Sequence, residues 1–567
     1  MTQKRWIPKA IPDDAIVDLL EKELKVSRLM ATLVAQRDIA SYEDARKYFS
    51  PKIKDLHDPF LMKDMDKAVK RIQEAINSGE KILIYGDYDV DGTTSVALVY
   101  RFFSAFYDSL IFYVPDRFHE GYGISLDGIN HAIEQGVKLI IALDCGIKEV
   151  EKVKYAKEHG VDVIICDHHT PDEIIPSAVA ILNPKQQDCT YPYNELSGCG
   201  IGFKLVQAYS GACQIDFDPF DLIDFVAVSI ASDIVPMTGE NRTLCYLGLE
   251  KINNNPSIPF LAMKEELSLE KEITVTDLVF IIGPRLNASG RMTHASTTVD
   301  FLLSNTYEDA ASRIALIDHN NVERKDIDHQ TLEEALSIIE NDENLKNKKS
   351  TVLYNQNWHK GVIGIVASRL IEHYYRPTIL LTESEGFLTG SARSIRDFNL
   401  YQALVKCSDL LEKYGGHQYA AGLSLKVENF EKFCKKFEEV VSESVTDEML
   451  IPLIEYDLEL NPEHISFTFV KTILRFGPFG PGNMKPRFVT RNVRLTDHAR
   501  IVGSNHLKFN IHTDHNKQLG AIGFDLGNYV ESINNSKAFD ICYVVEENHW
   551  NDNVYIQLNI KDIHIHL

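Results

Sequence analysis

Apolar runs of strand length that break off at acidic residues are the most regular feature of this chain. Lys81-Ile82-Leu83-Ile84-Tyr85 is apolar without alternation, which predicts a parallel strand buried on both faces. It breaks at Gly86-Asp87-Tyr88-Asp89-Val90-Asp91-Gly92, after which Thr93 or Thr94 is placed to cap a helix through Val96, Leu98, Val99 and Phe102. A second run, 137–143, ends at Asp144-Cys145-Gly146, and a third, 161–166, ends at Asp167-His168-His169. Strand and helix alternate from about residue 76. That predicts a doubly wound α/β sheet, whose strands deliver their C-terminal ends along one edge. Asp233 is a fourth candidate for that edge, between the apolar segment 225–231 and Ile234-Val235-Pro236.

The rest of the chain divides by changes of period. Residues 1–75 read as mainly helical, with apolar spacing through Leu19, Leu20, Leu24 and Leu29 and no evident chemistry. The first α/β domain is expected over 76–303. Ala311, Ile314, Ile317, Leu332, Ala335, Ile338 and Ile339 keep helical spacing, so one long helix and a polar linker are expected over 304–349. Arg324 and Lys325 read as a solvated face of that helix. Short strands and helices alternate over 350–447, a smaller α/β domain. From 448 onward the signal is β. Ile556, Leu558 and Ile560 alternate with polar residues, the phase slips at Asp562, and it resumes at Ile563, Ile565 and Leu567, which predicts a bulge. His564 and His566 fall on the polar side of this strand and read as solvent-facing. Short strands beside a basic tract predict an OB-type β-barrel, a platform for single strands. The fold class is therefore multidomain α/β with a C-terminal β-barrel.

Composition narrows the setting. The 567 residues suggest about three or four domains at ~150 residues each. There is no apolar run long enough for a membrane span and no apolar leader core in the first residues. Nine cysteines, scattered singly, fit reduced thiols and a cytoplasmic protein. The net charge of −23 argues against indiscriminate nucleic-acid binding. Between Pro481 and Asn510, however, stand six cations (Lys485, Arg487, Arg491, Arg494, Arg500, Lys508) and one anion, Asp497. Binding would follow one local path, with Lys485 and Arg487 at its start.

Carboxylates crowded at strand ends repel one another unless a cation neutralises them, and hard divalent cations prefer carboxylate oxygens. Asp87, Asp89, Asp91, Asp144, His168 and Asp233 offer five carboxylates and one imidazole, enough for two divalent ions ~3.5–4 Å apart. Mixed oxygen and nitrogen ligation prefers Mn²⁺ and also admits Mg²⁺. Such a pair activates a bound water and clamps a phosphoryl oxygen, so the reaction class is hydrolysis of a phosphate ester or anhydride. Taken singly, Asp144 and Asp233 are also ordinary caps and the His pair an ordinary loop pair. Their shared placement is what points to a site. Gly415-Gly416 would let a backbone approach a ligand, with His417 facing it.

Asp89-Val90-Asp91-Gly92-Thr93, Asp144-Cys145-Gly146, Asp167-His168-His169 and Asp233 resemble the four motifs of the DHH phosphoesterase superfamily. Three longer stretches, 283–292, 358–370 and 415–422, resemble its single-strand-specific exonuclease family, and the likeness runs from about residue 40 to the end. Gly477-Pro478-Phe479-Gly480-Pro481-Gly482-Asn483 departs from the family pattern only in the Met484 that follows it. The resemblance implies a 5′→3′ exonuclease on single-stranded DNA that uses Mn²⁺ or Mg²⁺, releases nucleoside 5′-monophosphates and serves recombination and repair. It implies that the 350–447 region is the DHH-associated domain, closing over the first domain's crevice. It places His169 near the scissile phosphate, assigns Arg117, Arg285 and Arg291 to phosphate contact, and gives the 5′-phosphate to Ser391 and Arg393 of Gly390-Ser391-Ala392-Arg393-Ser394. The guanidinium fork suits phosphate oxygens, and the Gly, Pro, Asn and Ser around Arg285 and Arg291 read as loop chemistry. A monomer is expected, with a single-strand-binding protein and a helicase as candidate partners.

Two rival functions share these motifs. A phosphoesterase for oligonucleotides, cyclic dinucleotides or pyrophosphate would not need the long helix or the basic barrel. A non-catalytic DNA-binding scaffold would have no use for repelling carboxylates.

Overall fold

The computed structural model describes residues 4–512, 518–551 and 553–566, so Leu567 of the C-terminal alternation lies outside the described residues. The first sheet has five parallel strands: β1 (Lys81–Gly86), β2 (Leu110–Tyr113), β3 (Val137–Leu143), β4 (Asp162–Cys166) and β5 (Ala180–Leu182), in the order β2-β1-β3-β4-β5. Because successive side chains point to opposite faces, Ile82 and Ile84 join one apolar cluster while Leu83 and Tyr85 join another on the far side. Helices α1 (Val90–Ser104), α2 (Gly198–Cys213) and α3 (Ile223–Ser232) cover the first face. This two-sided burial is why the strands read as unbroken apolar runs.

Helix α1 begins earlier than the sequence predicts. Asp89 is its cap, accepting from the Gly92 N–H at 3.0 Å, and Thr93 and Thr94 lie inside, bonding back to the Asp89 and Val90 carbonyls. Arg285 and Arg291 lie in a helix, α4 (Gly283–Met292), and not in a loop. Pro284 occupies its first turn, where a missing N–H costs nothing, and Leu286 and Ala288 are buried beneath it.

Helix α5 (Tyr307–Glu340) is continuous over 34 residues, about 50 Å at 1.5 Å per residue. Ala310, Ile314 and Ile317 pack into the first domain's core, and Ala335 and Ile339 pack under the second domain. Its middle is polar yet buried. Arg324 is not on a solvated face: it is buried, 3.6 Å from Asp328 and donating to Asn321 Oδ1, whereas Lys325 is exposed as expected. A second five-stranded sheet follows, ordered Lys413–Gly416, Ala420–Leu425, Phe387–Arg393, Thr378–Ser384 and Thr351–Tyr354.

The C-terminal region forms a seven-stranded sheet in which Asn553–Ile565 pairs with both Phe539–Trp550 and Gln518–Gly523. One face of its main strands converges on a single cluster that includes Phe488, Phe509, Ile541, Tyr543 and Leu558. The anticipated bulge is present: Cys542 pairs with Asp562 and Tyr543 with Ile560, which leaves Lys561 as the extra residue. Of the two histidines, His566 faces solvent as expected, although it is paired, and His564 is partly buried. His564 stacks on Trp6 at 3.7 Å, and His566 Nε2 lies 2.8 Å from Asp540.

The N-terminal segment does not stand as one helical unit. Strand Arg5–Pro8 pairs with Leu453–Tyr456, Trp6 Nε1 donates to Asp562, and Val17, Leu20, Leu33 and Val34 complete the C-terminal core. Helix Met65–Asn77 packs instead on the first sheet. Leu33→Ala is expected to cost about 2–5 kcal/mol, the usual range for truncating a buried leucine. Amide exchange should show the loss in His506–His512 and Phe539–Trp550. Loss confined to β1 and β3 would mean that the N-terminal helices support the first domain.

Candidate metal centre and anion pocket

The strand order reverses between β1 and β3, because the chain leaves β1 for β2 on one side and returns to β3 on the other. Ligands bind at the carboxyl ends of strands flanking such a point. Gly86 is paired with Leu143, and Leu143 with Cys166, so Asp87, Asp144 and Asp167 emerge side by side. Asp144 adopts φ 59°, a costly conformation for a residue with a Cβ. Helix α2 starts directly against it: a Cβ on Gly198 would lie 2.6 Å from the Asp144 Cβ.

Asp91 turns inward from the first turn of α1 and is buried. It accepts from the Gly198 and Cys199 N–H groups at 2.6 and 2.7 Å and from Ser229 Oγ at 2.7 Å. The N-terminus of α2 thus holds a carboxylate where the helix dipole favours one. Asp233 ends α3, and its Oδ2 lies 3.6 Å from His168 Nε2. The same nitrogen is 3.1 Å from Asp144 Oδ1 and 3.9 Å from Asp91 Oδ2. Burial, then the neighbouring carboxylates, push Asp144 and Asp233 well above the ordinary range, and burial with Asp89 raises Asp87 and takes Asp91 to about 6. Burial and the His169 charge push His168 down to about 3, so its ring is neutral.

Asp87 Oδ1, Asp144 Oδ1 and His168 Nε2 are buried without a hydrogen-bond partner. Orphaned acceptors facing one another are a poor arrangement for protein alone and a suitable one for divalent cations. The donor set fits Mn²⁺ or Mg²⁺: Asp144, His168 and His169 bring ligand atoms together, as do Asp91, His168 and Asp233. Cys145 and Cys166 are buried with thiols raised by burial, and they behave as core residues.

Asp167, which ends the third apolar run, orients the second histidine. Its Oδ1 lies 2.7 Å from His169 Nδ1, and its Oδ2 accepts from the Ile147 N–H. Although burial raises it, the His169 hydrogen bond holds Asp167 down to about 2. Tyr122 was missed. Its hydroxyl is 3.0 Å from His169 and 3.3 Å from the Asp144 carbonyl. Lys185 was missed as well: its charge lowers Asp233 and His168. Only its place two residues after Asn183, near a strand end, could have signalled it.

The predicted arginines separate. Arg117 donates to the Gly290 carbonyl and stacks 4.0 Å over Tyr88. Arg291 donates to the Gly361 carbonyl, and Arg393 to Ser391 Oγ. Burial first, then Arg117, Arg324 and Arg393, depress Arg291 to about 9, so these guanidinium groups share one region. Among the described residues, no carboxylate pairs with Arg117, Arg291 or Arg393 within ion-pair distance. Gly364 makes room for this pocket, since a Cβ there would lie 3.0 Å from Arg393 Nη2. Arg285 is instead occupied by Asp318 of α5 at 2.8 Å. His417 sits at an exposed hairpin tip of the second domain, and its imidazole is lowered by partial burial and by the charges of Lys148, His169 and Lys185 of the first domain. Lys485, paired with Glu546 at 3.0 Å, and Arg487 line a cavity of ≈ 1560 Å³ that reaches Ile234, next to Asp233.

Three family models match successive parts of the chain. Residues 81–230 match the model of the DHH family's N-terminal domain, 347–443 the DHHA1 domain, and 456–562 the RecJ OB domain. The single-stranded-DNA-specific exonuclease RecJ of Bacillus subtilis (strain 168) is 38% identical over 559 residues, which cover 97% of this chain and 70% of that protein. The chain belongs to the RecJ family. The RecJ of Haemophilus influenzae is 34% identical, covering 90% of this chain and 92% of that protein. A crystal structure of Thermus thermophilus RecJ in complex with Mn²⁺ superposes with a TM-score of 0.86 at 24% identity, over 99% of this chain and 80% of that one, which establishes the shared fold. A structure of exonuclease RecJ bound to manganese reaches 0.60 at 28% identity, over 68% and 96%. No helix among the described residues is long and apolar enough to cross a membrane.

Asp144→Asn removes one crowded charge from this RecJ-family site. The metal-free variant should melt above the metal-free parent. The stabilisation by Mn²⁺, about 2.7 kcal/mol at a hundredfold excess over Kd, should shrink. A parent whose melting is indifferent to Mn²⁺ would mean that these carboxylates hold no cation.

Proposed function

We propose that this protein is a 5′→3′ exonuclease that degrades single-stranded DNA to nucleoside 5′-monophosphates, in DNA recombination and repair. The observation that carries the reading is the juxtaposition of two complementary sites. One holds buried, orphaned acidic and imidazole atoms, and the other holds arginines without carboxylate partners. The named activity of the relatives supports it.

Bound between Asp87, Asp89, Asp91, Asp144, His168 and Asp233, two divalent cations, Mn²⁺ by preference or Mg²⁺, supply activation of water and neutralisation of phosphoryl charge. The protein supplies position. Asp167 Oδ1 accepts from the His169 Nδ1–H and holds the ring, with the Tyr122 hydroxyl 3.0 Å from Nε2, so that the imidazole is presented to the scissile phosphate. Arg117 and Arg291 offer their remaining N–H groups to the same phosphate. Ser391 and Arg393 hold the terminal 5′-phosphate one step beyond, so each cleavage releases a 5′-monophosphate. His417 closes over the site from the second domain, and the following nucleotides leave along the cavity lined by Lys485 and Arg487. A single strand is threaded between domains, and a duplex is not admitted. The reading places the protein in the cytoplasm as a monomer, recruited by a single-strand-binding protein and a helicase.

Matched single-stranded and blunt duplex DNA should be degraded at very different rates, and equal rates would end the proposal. Strands labelled at the 5′ end should lose label as mononucleotide first, and dinucleotides should be poorer substrates than long DNA. Arg393→Ala should lower kcat/KM on 5′-phosphorylated strands by roughly 10- to 100-fold, the worth of a charge-assisted hydrogen bond, and should affect 5′-hydroxyl strands far less. An equal loss on both would remove the 5′-phosphate from Arg393.

A further inference from the structure

Asp233 differs from the other acidic groups of the site in how it is held. Asp87 and Asp144 follow sheet strands, and Asp91 is fixed by α2. Asp233 ends a helix and is followed by Ile234 at φ 60°. A β-branched residue in that region costs of order 1–3 kcal/mol and persists only where its surroundings impose it. The chain beyond Ile234 is fastened at few points. The Pro236 carbonyl accepts from Tyr193 Oη at 3.2 Å and from Asn241 Nδ2 at 3.1 Å. The Met237 N–H donates to the Pro481 carbonyl at 2.7 Å. That last bond crosses to the C-terminal region.

The segment it meets is the Gly477–Asn483 loop, and the approach is close. A Cβ on Gly480 would lie 3.0 Å from the Met237 Cβ, and one on Gly482, at φ 74°, would lie 2.8 Å from Thr238 Cγ2. The loop is itself clamped. Asn483 Nδ2 donates to the Phe476 and Pro478 carbonyls, and its Oδ1 accepts from Tyr48 Oη at 2.7 Å and Arg37 Nε at 3.1 Å. Arg242, from the helix that follows Asp233, is buried and lies 3.7 Å over the Tyr48 ring, and it donates to the Tyr48 and Gly477 carbonyls. N-terminal helices, C-terminal loop and the Asp233 segment therefore meet in one buried polar knot.

We propose that the Gly477–Asn483 loop is a positioning element for Asp233, with Asn483 as its positioning residue, so that cation binding in the first domain depends on docking of the C-terminal region. The proposal rests on Asp233 being a metal ligand. Supporting partners of a metal ligand contribute roughly 10- to 100-fold in affinity. Mn²⁺ titration of the full-length protein by electron paramagnetic resonance, without DNA, reads this directly. Gly482→Ala and Asn483→Ala should each weaken Mn²⁺ binding about 10-fold or more, with single-strand binding in chelator unchanged. Adding Thr238→Ser to Gly482→Ala removes the methyl that the new Cβ meets and should recover part of the affinity, while the hydroxyl bonded to Tyr193 is retained. Unchanged Mn²⁺ titrations with a lowered melting temperature in both single variants would overturn the proposal. Asp233→Asn, run alongside, separates the two assumptions: an unchanged titration there would mean that Asp233 is not a ligand at all.

Discussion

Mutual repulsion among buried carboxylates is the constraint on which this molecule turns. Asp87, Asp91 and Asp144 are almost wholly excluded from water within one crevice. Desolvation and like charge act in the same direction, and both are relieved by the same remedy, a multivalent cation. Much of the first domain can be understood as scaffolding that keeps these groups together against that force. The parallel sheet supplies rigid, register-locked exits for Asp87, Asp144 and Asp167. The N-terminus of α2 takes up part of the Asp91 charge through two N–H groups, which lets that residue remain close to the others.

The positive side of the site is built differently. Arg117, Arg291, Arg324 and Arg393 come from four separate segments, and their closeness depresses Arg291 rather than neutralising it. Within the first domain alone, Arg393 would be missing. Within the second alone, the carboxylates would be. The two sets of charge are complete only where the domains meet. Helix α5, rooted in a core at each end, fixes the distance between the two halves.

What the sequence revealed depended on whether the signal was local. The acidic strand ends were legible because a strand buried on both faces leaves an unbroken apolar run, and a carboxylate directly after it stands out. The bulge at Lys561 was legible as a phase slip in a period of two. The cap of α1 was misplaced because a threonine and an aspartate are equally good caps, and only the fold shows that Asp89 takes the position. Helix α4 was hidden by its Gly, Pro, Asn and Ser content; burial of Leu286 and Ala288 against neighbours outweighs weak propensity. The contacts of Trp6 with Asp562 and His564 could not be read from one sequence, because nothing local marks a partner more than 550 residues away.

The burial of Arg324 carries the same lesson to the function. A charged stretch such as Glu323-Arg324-Lys325-Asp326 in mid-helix reads as solvated when the helix is imagined alone. Here the helix bridges two cores, and its polar middle is buried at Asn320, Asn321, Arg324 and Asp328. Arg324 is therefore unable to shed its field into water, and it acts on Arg291 instead. The crevice is electrostatically polarised by residues that never touch a substrate. Arg117 acts on Asp87 and Asp89 on Arg291, so the carboxylates and the guanidinium groups lie within each other's field.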